Sequence, residues 1–306
     1  MDALRLADSR PESNDCDLCG SRSVRELYTA TDRLRNGGTL FSVSKCNGCG
    51  VLRTLPPMSE GELSVYYPTD YWGSLEPPSP AWIRSSQREK TEFLRKCGLI
   101  GGRILDVGCG SGLFLRALDG KAWQRFGVET GAEASNLAAA VLGSDRILNG
   151  GLIEAQLESA TFDVVAFWSA LEHMNHPRSN LLEARRLLKP GGTVIVQVPN
   201  ASSYQARMFK ERWFALDVPR HRYHFSHTVL EKALTDSRFR IYQATYFSKA
   251  HNAHALRQSL KASLRANQSR AGFGIFCLAI PLIKPIDLVL TALGGGATLT
   301  VAARAI

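Results

Sequence analysis

The sequence has no apolar run clean enough to cross a bilayer. Its most apolar stretch, Gly272 to Leu293, is broken by Pro281, Lys284, Pro285 and Asp287, whereas a spanning helix needs about 20 predominantly apolar residues. The opening segment, Met1 to Asn14, is polar and lacks the apolar core of a secretory leader, so a cytoplasmic protein is expected. Repeats with a period of roughly 20–50 residues are missing, and so are low-complexity tracts, which argues against solenoids and disorder. What remains is an ordinary globular composition, 44% hydrophobic and 21% charged over 306 residues. That length suits one large α/β domain with a small appendage.

The formal net charge of +9 is unevenly placed. Residues 201–306 hold 15 Lys and Arg against 5 Asp and Glu, and the first 200 residues are close to neutral. A basic partner surface would therefore belong to the C-terminal third. A zinc-containing nucleic-acid-binding protein stands as one alternative, but the charge lies far from the cysteines and no recognition motif accompanies it, so nucleic acid is not the expected partner.

Four of the seven cysteines form two tight pairs, Cys16-Asp-Leu-Cys19-Gly and Cys46-Asn-Gly-Cys49-Gly, separated by 26 residues. Each pair can aim two sulfurs inward, and the four thiolates can close a tetrahedral structural zinc site. Strand-like runs at Leu27–Thr29 and Thr39–Ser44 could form the hairpin that returns the chain. This four-cysteine unit is placed at 1–65. A proline-rich linker follows at 66–84, then a main domain at 85–306 with 250–293 as a helical insertion. Ser85 to Gly98 reads as a helix opened by a Ser86/Glu89 capping box and covering a cofactor-binding edge.

Arg103 to Leu115 begins as a short apolar strand, turns through Gly108, Gly110 and Gly112, and continues into a helix. Such a turn brings backbone N–H groups close to a ligand. A dinucleotide-binding turn is its nearest competitor, so a nicotinamide-dependent oxidoreductase is the second enzyme class considered. Asp106, two residues before Gly108, decides between them. A carboxylate there would repel a pyrophosphate but suit the ammonium of S-adenosylmethionine. The next strand, Gln124–Val128, ends in Glu129, where a ribose diol would lie. Arg146–Leu148, Phe162–Trp168, Thr193–Val198, Arg240–Phe247 and Leu299–Ala303 supply further strands, with Lys189-Pro-Gly-Gly as a turn into the fifth. Seven strands with interleaved helices predict an α/β doubly wound, Rossmann-like sheet.

The motifs Ile104-Leu-Asp-Val-Gly-Cys-Gly-Ser-Gly, Gly127-Val-Glu, Phe162-Asp-Val-Val and Leu188-Lys-Pro-Gly-Gly, taken together, resemble the class I S-adenosylmethionine-dependent methyltransferases from about Ile104 to Asn200. The cysteine region, Tyr66-Tyr-Pro and Asp217-Val-Pro-Arg-His resemble a bacterial subgroup similar to sugar C-methyltransferases and ubiquinone-type O-methyltransferases. The resemblance implies that Asp106, Gly108 and Gly110 line the methionine end of the cofactor and that Glu129 meets the ribose. The segment after the third strand, Asn149-Gly-Gly151-Leu-Ile, departs from the pattern, because it lacks the Asp that many relatives place against the adenine amino group. Adenine would then depend on the backbone of Gly151 and Leu152.

Ser169-Ala-Leu-Glu172-His173 follows the fourth strand and should face the reaction centre. In similar enzymes this Glu-His pair contributes a base or a divalent-ion contact, which makes His173 the expected base and Mg²⁺ an optional cofactor. Arg220 to His227 occupies the position of a substrate loop. His221 or His224 is expected to contact the acceptor and His227 to lie near a helix N-cap. A metal site is not expected among these histidines, since no paired carboxylates accompany them in sequence. Trp213 and Phe214 read as core or substrate wall. Leu256, Leu260 and Leu264 repeat on one helical face with Arg257, Lys261 and Arg265 on another, a pattern that suits a cover or dimer surface over the active site or a peripheral hold on the inner membrane face. The acceptor is accordingly a sugar, a quinone-like molecule or a lipid-linked one.

Overall fold

A computed structural model describes residues 15–34, 38–67, 78–248, 251–266, 283–292 and 295–306. The cysteine region folds as an antiparallel hairpin of β1 (Val24–Thr31) and β2 (Leu40–Cys46), with β3 (Leu52–Leu55) added beside β2. Alternation places Phe41, Val43 and Ala30 inside. A short helix α1 (Glu60–Ser64) follows, opened by a capping box in which Ser59 and Glu62 exchange hydrogen bonds.

The expected helix from Ser85 is two helices, α2 (Pro80–Ser86) and α3 (Arg88–Lys96). Its start is set by Ser79, whose hydroxyl accepts from the Trp82 amide, with Pro80 in the first helical position. The capping box expected at Ser86 and Glu89 does not form. Ser86 is already helical and its hydroxyl donates to the Ile83 carbonyl, while Gln87, at φ −97° and ψ 5°, bends the chain between the helices without a side-chain cap.

The main sheet then builds by alternation. Its strands are β4 (Gly102–Val107), β5 (Trp123–Glu129), β6 (Ile147–Asn149), β7 (Phe162–Trp168) and β8 (Leu188–Pro199), separated by α4 (Leu113–Ala117), α5 (Ala132–Leu142) and α6 (Pro177–Leu187). After β8 come α7 (Tyr204–Phe209), the two-residue β9 (Tyr223–His224), α8 (His227–Asp236), β10 (Phe239–Thr245), α9 (Asn252–Ala266), α10 (Ile283–Ala292) and β11 (Thr298–Ala305). Spatial order is β10-β11-β8-β7-β4-β5-β6. β4 to β8 pair in parallel, and only β11 runs against its neighbours. Parallel strands covered on both faces must be apolar throughout, and Val164, Val165, Ala166 and Phe167 on β7 are all fully buried. The Lys189-Pro-Gly-Gly turn lies inside β8 as an irregularity: Leu188 pairs with Phe162, Thr193 pairs with Val164, and the residues between bulge outward. Asp163 fixes it, accepting from Lys189 Nζ at 2.8 Å and from the Arg103 amide at 2.8 Å.

The cysteine unit is not a detached knob. β9, from the loop between β8 and α8, pairs with β3 and completes a four-stranded sheet β1-β2-β3-β9. Cys16, Leu18, Cys46 and Val51 share one continuous core with Tyr223, Phe225 and Val229. On α9, Leu256 is buried against Phe209, Trp213 and Leu216, with Ala253 and Leu260 half-buried beside it, while Arg257 and Lys261 face outward. Leu256, at least, is thus spent on the protein's own core. The side chain of Arg265 and most of the apolar run after Gly272 lie outside the described residues. Among the described residues, no helix is long and apolar enough to cross a membrane.

Candidate active site

Two groups of side chains meet at the carboxyl end of the parallel strands. The first is the glycine turn. Gly108, Gly110 and Gly112 all take positive φ, at 71°, 54° and 74°. At Gly108 a side chain is also excluded by space, because a Cβ would stand 2.9 Å from the Cβ of Ala170 in the loop after β7. Asp106 is 3% exposed and its Oδ1 has no hydrogen-bond partner. Burial pushes its carboxyl up to about 7, with Lys90 on α3 opposing the shift and Glu129 adding to it. Glu129 accepts from the Gly110 amide through Oε2 and from the Gly131 amide through Oε1, each at 2.8 Å. A carboxylate keeps further lone pairs for a diol. Asn149 donates through Nδ2 to the Glu129 carbonyl at 2.9 Å, so it braces the strand end. Leu152 places its side chain in the core at 2% exposure, which leaves only its backbone and that of half-buried Gly151 to meet a ligand.

The second group is a buried cluster of one acid and several imidazoles. The loop after β7 turns through Ser169 at φ 54°, a left-handed conformation uncommon for serine, and delivers Glu172 and His173. Glu172 is 1% exposed and neither carboxylate oxygen has a hydrogen-bond partner; burial, helped by Asp217, pushes it up to about 8. His173 Nδ1 lies 3.1 Å from the Arg220 carbonyl and 3.3 Å from the Tyr67 hydroxyl. Because a carbonyl only accepts, Nδ1 carries the proton and Nε2 presents its lone pair. Burial holds this imidazole down to about 4, so it is neutral at cellular pH. His221 packs edge-on against it, with ring centroids 4.6 Å apart. The acid and both imidazoles bring one ligand atom each within 4.8 Å of one another. Of the histidines in the Arg220–His227 segment, His221 joins this group, and Glu172 reaches it from another loop. His224 bonds Thr54 Oγ1 at 3.1 Å, the same hydroxyl that donates to the His221 carbonyl. His227 lies one residue inside α8, whose N-cap is Ser226.

Tyr66, Asp217 and Arg220 carry no chemistry that their sequence positions disclose. The fold joins them. Arg220 is fully buried and donates to Asp217 and Asp32 at 2.6 Å each and to the Tyr66 carbonyl at 2.8 Å. One guanidinium so ties three distant segments together and aims its own carbonyl at His173. Arg33 adds a second donor to Asp217 at 2.8 Å and lies 3.6 Å over the Phe214 ring. Trp213 is core, at 3% exposure. Near His224, a cavity of about 630 Å³ is lined by Leu27, Tyr28, Leu52, Ala206 and Trp213, together with Arg207 and Lys210.

In the N-terminal unit the Cys16–Cys49 and Cys19–Cys46 sulfurs are each 3.6 Å apart, and all four lie within 4.8 Å. A disulfide would need about 2 Å. Tetrahedral thiolates around zinc at about 2.3 Å stand roughly 3.8 Å from one another, which these distances match. The two knuckles also repeat each other: the Gly20 amide donates to the Cys16 carbonyl and the Gly50 amide to that of Cys46.

A parallel sheet ending in one reversed strand, a glycine turn after β4 and acids at the ends of β4 and β5 define the class I S-adenosylmethionine-dependent methyltransferases. A family described as Methyltransferase domain matches residues 82–244, more than half of the chain, and this protein belongs to it; the nicotinamide reading is set aside. Among curated proteins, the ubiquinone biosynthesis O-methyltransferase of Azoarcus sp. (strain BH72) is 32% identical over 39% of this chain and 51% of its own length. The protein of the same name from Vibrio cholerae serotype O1 (strain ATCC 39541 / Classical Ogawa 395 / O395) is 34% identical over 34% of this chain and 44% of its own. The chain thus spans about half the length of the curated relatives it matches. Among solved structures, the [4+2]-cyclase SpnF superposes with a TM-score of 0.50 at 21% identity, over 72% of this chain and 81% of that one. Named a cyclase, it shares the fold alone.

Proposed function

We propose that this protein methylates a hydroxyl oxygen of a small, largely apolar acceptor, with His173 taking the hydroxyl proton. The observation that carries this reading is the contact between Gly108 and Ala170, which sets the Glu172–His173 loop against the glycine turn where the cofactor is held. Bound S-adenosylmethionine supplies an electrophilic methyl group, so the protein has chiefly to align the acceptor oxygen and accept its proton. Asp106 and Glu129 hold the cofactor's amino acid and ribose. The Arg220 carbonyl keeps the proton of His173 on Nδ1, leaving Nε2 as the base. A neutral imidazole takes the proton of a phenol, with a pKa of roughly 10, more readily than that of an alcohol. The curated relatives' names, ubiquinone biosynthesis O-methyltransferase, favour the same quinone-like class over a sugar. The cavity beside His224 lies within the roughly 300–1,000 Å³ range of small-molecule pockets, and its wall of Leu27, Leu52, Ala206 and Trp213 beside Arg207, Lys210 and Glu211 suits an aromatic acceptor that carries polar substituents. Zinc on Cys16, Cys19, Cys46 and Cys49 is assigned a structural role.

His173→Ala should lower turnover about 10²- to 10⁴-fold while calorimetry shows S-adenosylmethionine binding as in wild type. Near-normal turnover would remove the base assignment. A second reading rests on the orphaned oxygens of Glu172 beside two imidazoles: a divalent cation such as Mg²⁺ held by Glu172, His173 and His221 would satisfy them and lower the acceptor's pKa. Activity lost to a chelator and restored by Mg²⁺, with zinc content unchanged, selects that reading.

A further inference from the structure

Helix α6 starts soon after His173 and lacks a cap from its own neighbourhood. The residue before it, His176, makes no side-chain hydrogen bond to the first turn, and Pro177 in the first helical position has no N–H to offer. The next amide, that of Arg178, is one that a capping side chain ordinarily receives. It donates at 2.7 Å to Oδ2 of Asp17, 161 positions away in the chain. Oδ1 of the same carboxylate stands 3.4 Å from His176 Nδ1, and the Asp17 side chain is only 17% exposed. Asp17 lies inside the Cys16-Asp-Leu-Cys19 knuckle, and its neighbours hold it in place. Cys16 and Leu18 are buried in the core that includes Tyr223 and Val229, and the Gly20 amide closes the knuckle on the Cys16 carbonyl at 2.6 Å. The cysteine unit thus supplies the cap of α6, with a negative charge at the positive end of the helix.

We propose that Asp17 is a positioning residue for His173, acting through the start of α6. Only Met174, Asn175 and His176 separate the helical turn Leu171–His173 from the helix, so a chain fixed at Arg178 limits how far the imidazole can shift. Two other bonds hold the same loop, both from the β9 segment: the Arg222 amide donates to the Glu172 carbonyl at 2.8 Å and the Tyr223 hydroxyl to the Asn175 carbonyl at 3.2 Å. Both act before the helix begins. Asp17 holds the far end, and it does so from between two of the cysteines assigned to zinc. Metal in the knuckle therefore fixes the carboxylate that fixes the loop. The consequence for turnover rests on the reading of His173 as the base, but the contact itself does not.

Heteronuclear NMR of the metal-bearing protein tests this without an acceptor, the His173 imidazole being identified by its absence from His173→Gln. Wild type should show a protected Arg178 amide and a His173 ring protonated on Nδ1. Asp17→Ala should speed hydrogen exchange at the Arg178 amide about 2- to 30-fold, the range that a lost cap gives, and shift the His173 ring signals toward a mixture of tautomers, with its zinc retained. Asp17→Asn, which caps about as well, should restore both. An Arg178 amide that stays protected in Asp17→Ala overturns the cap. A freed amide with an unchanged His173 spectrum overturns the positioning role. Loss of zinc from Asp17→Ala overturns it too, since Asp17 would then serve the metal site. Each of these outcomes leaves the base reading standing, which the turnover of His173→Ala tests separately.

Discussion

The cofactor edge and the acid–imidazole cluster touch at Gly108 and Ala170, yet they are built in opposite ways. Asp106, Gly108, Gly110, Gly112 and Glu129 come from one short stretch of chain, and Glu129 is held by backbone amides within two and nineteen residues of it. The cluster gathers Tyr67, Glu172, His173, Arg220, His221 and His224, with Thr54 and Asp32 bracing it from the cysteine unit. A turn held by its own backbone tolerates distant change. A cluster held by long-range side-chain bonds should fail when any distant member is lost.

Arg220→Met is the change that should break this contrast most sharply. It leaves Asp32 and Asp217, each buried, facing the space of a lost guanidinium. Removing one partner of a buried ion pair costs about 3–5 kcal/mol, which urea denaturation would show. Turnover should fall steeply as the backbone carbonyl at position 220, which orients His173, loses the side-chain anchor that fixes it, while the folded fraction still binds S-adenosylmethionine. Equal loss of cofactor affinity would mean that the two regions are not independent.

The same contrast explains what the sequence could disclose. β7 begins and ends at Phe162 and Trp168, as its apolar run indicates, because a strand buried on both faces writes its length in its own composition. The glycine turn is legible because backbone geometry there demands glycine. Arg220 reads only as one more charge, and nothing near it in sequence says that it will be sealed against Asp32, 188 positions away. β9 is two residues long, too short to show any period, so the sheet that joins the cysteine unit to the histidines could not be foreseen. The sequence pairs Glu172 with His173 alone, since its approach to His221 depends on how two loops fold together.

Cys46→Ser should have the next largest effect and tests whether the cysteine unit reaches the cluster. Loss of one thiolate should release the metal, read by elemental analysis, and loosen β2 and β3. β3 carries Thr54, which holds both His221 and His224. Misplacing such groups by about 1 Å can cost around 10²-fold in rate, so turnover should fall by up to that factor. Cofactor affinity should change little. A variant with no metal and full turnover would show that the unit is only an appendage.

The smallest effect is expected at the cofactor edge and has the opposite sign. Asp106 is held at about 7 in the folded protein by burial, against Lys90 and with Glu129 adding to the rise, whereas an unfolded aspartate titrates near roughly 3.9. The folded state therefore binds the proton more tightly, and this group makes stability fall as pH rises from about 4 to about 7. Above that range the whole penalty persists. Asp106→Asn keeps the shape and removes the ionisation, so its melting temperature should exceed that of wild type by a few degrees at pH 8, with the gain disappearing near pH 4. The same variant should bind S-adenosylmethionine poorly, and wild-type affinity should itself weaken as pH drops below about 7 and Asp106 takes up a proton. Scanning calorimetry at the two pH values, paired with binding titrations, checks both halves. A variant that is no more stable at pH 8 would show that Asp106 is not strained by burial. One that gains stability and still binds would show that its charge serves something other than the cofactor.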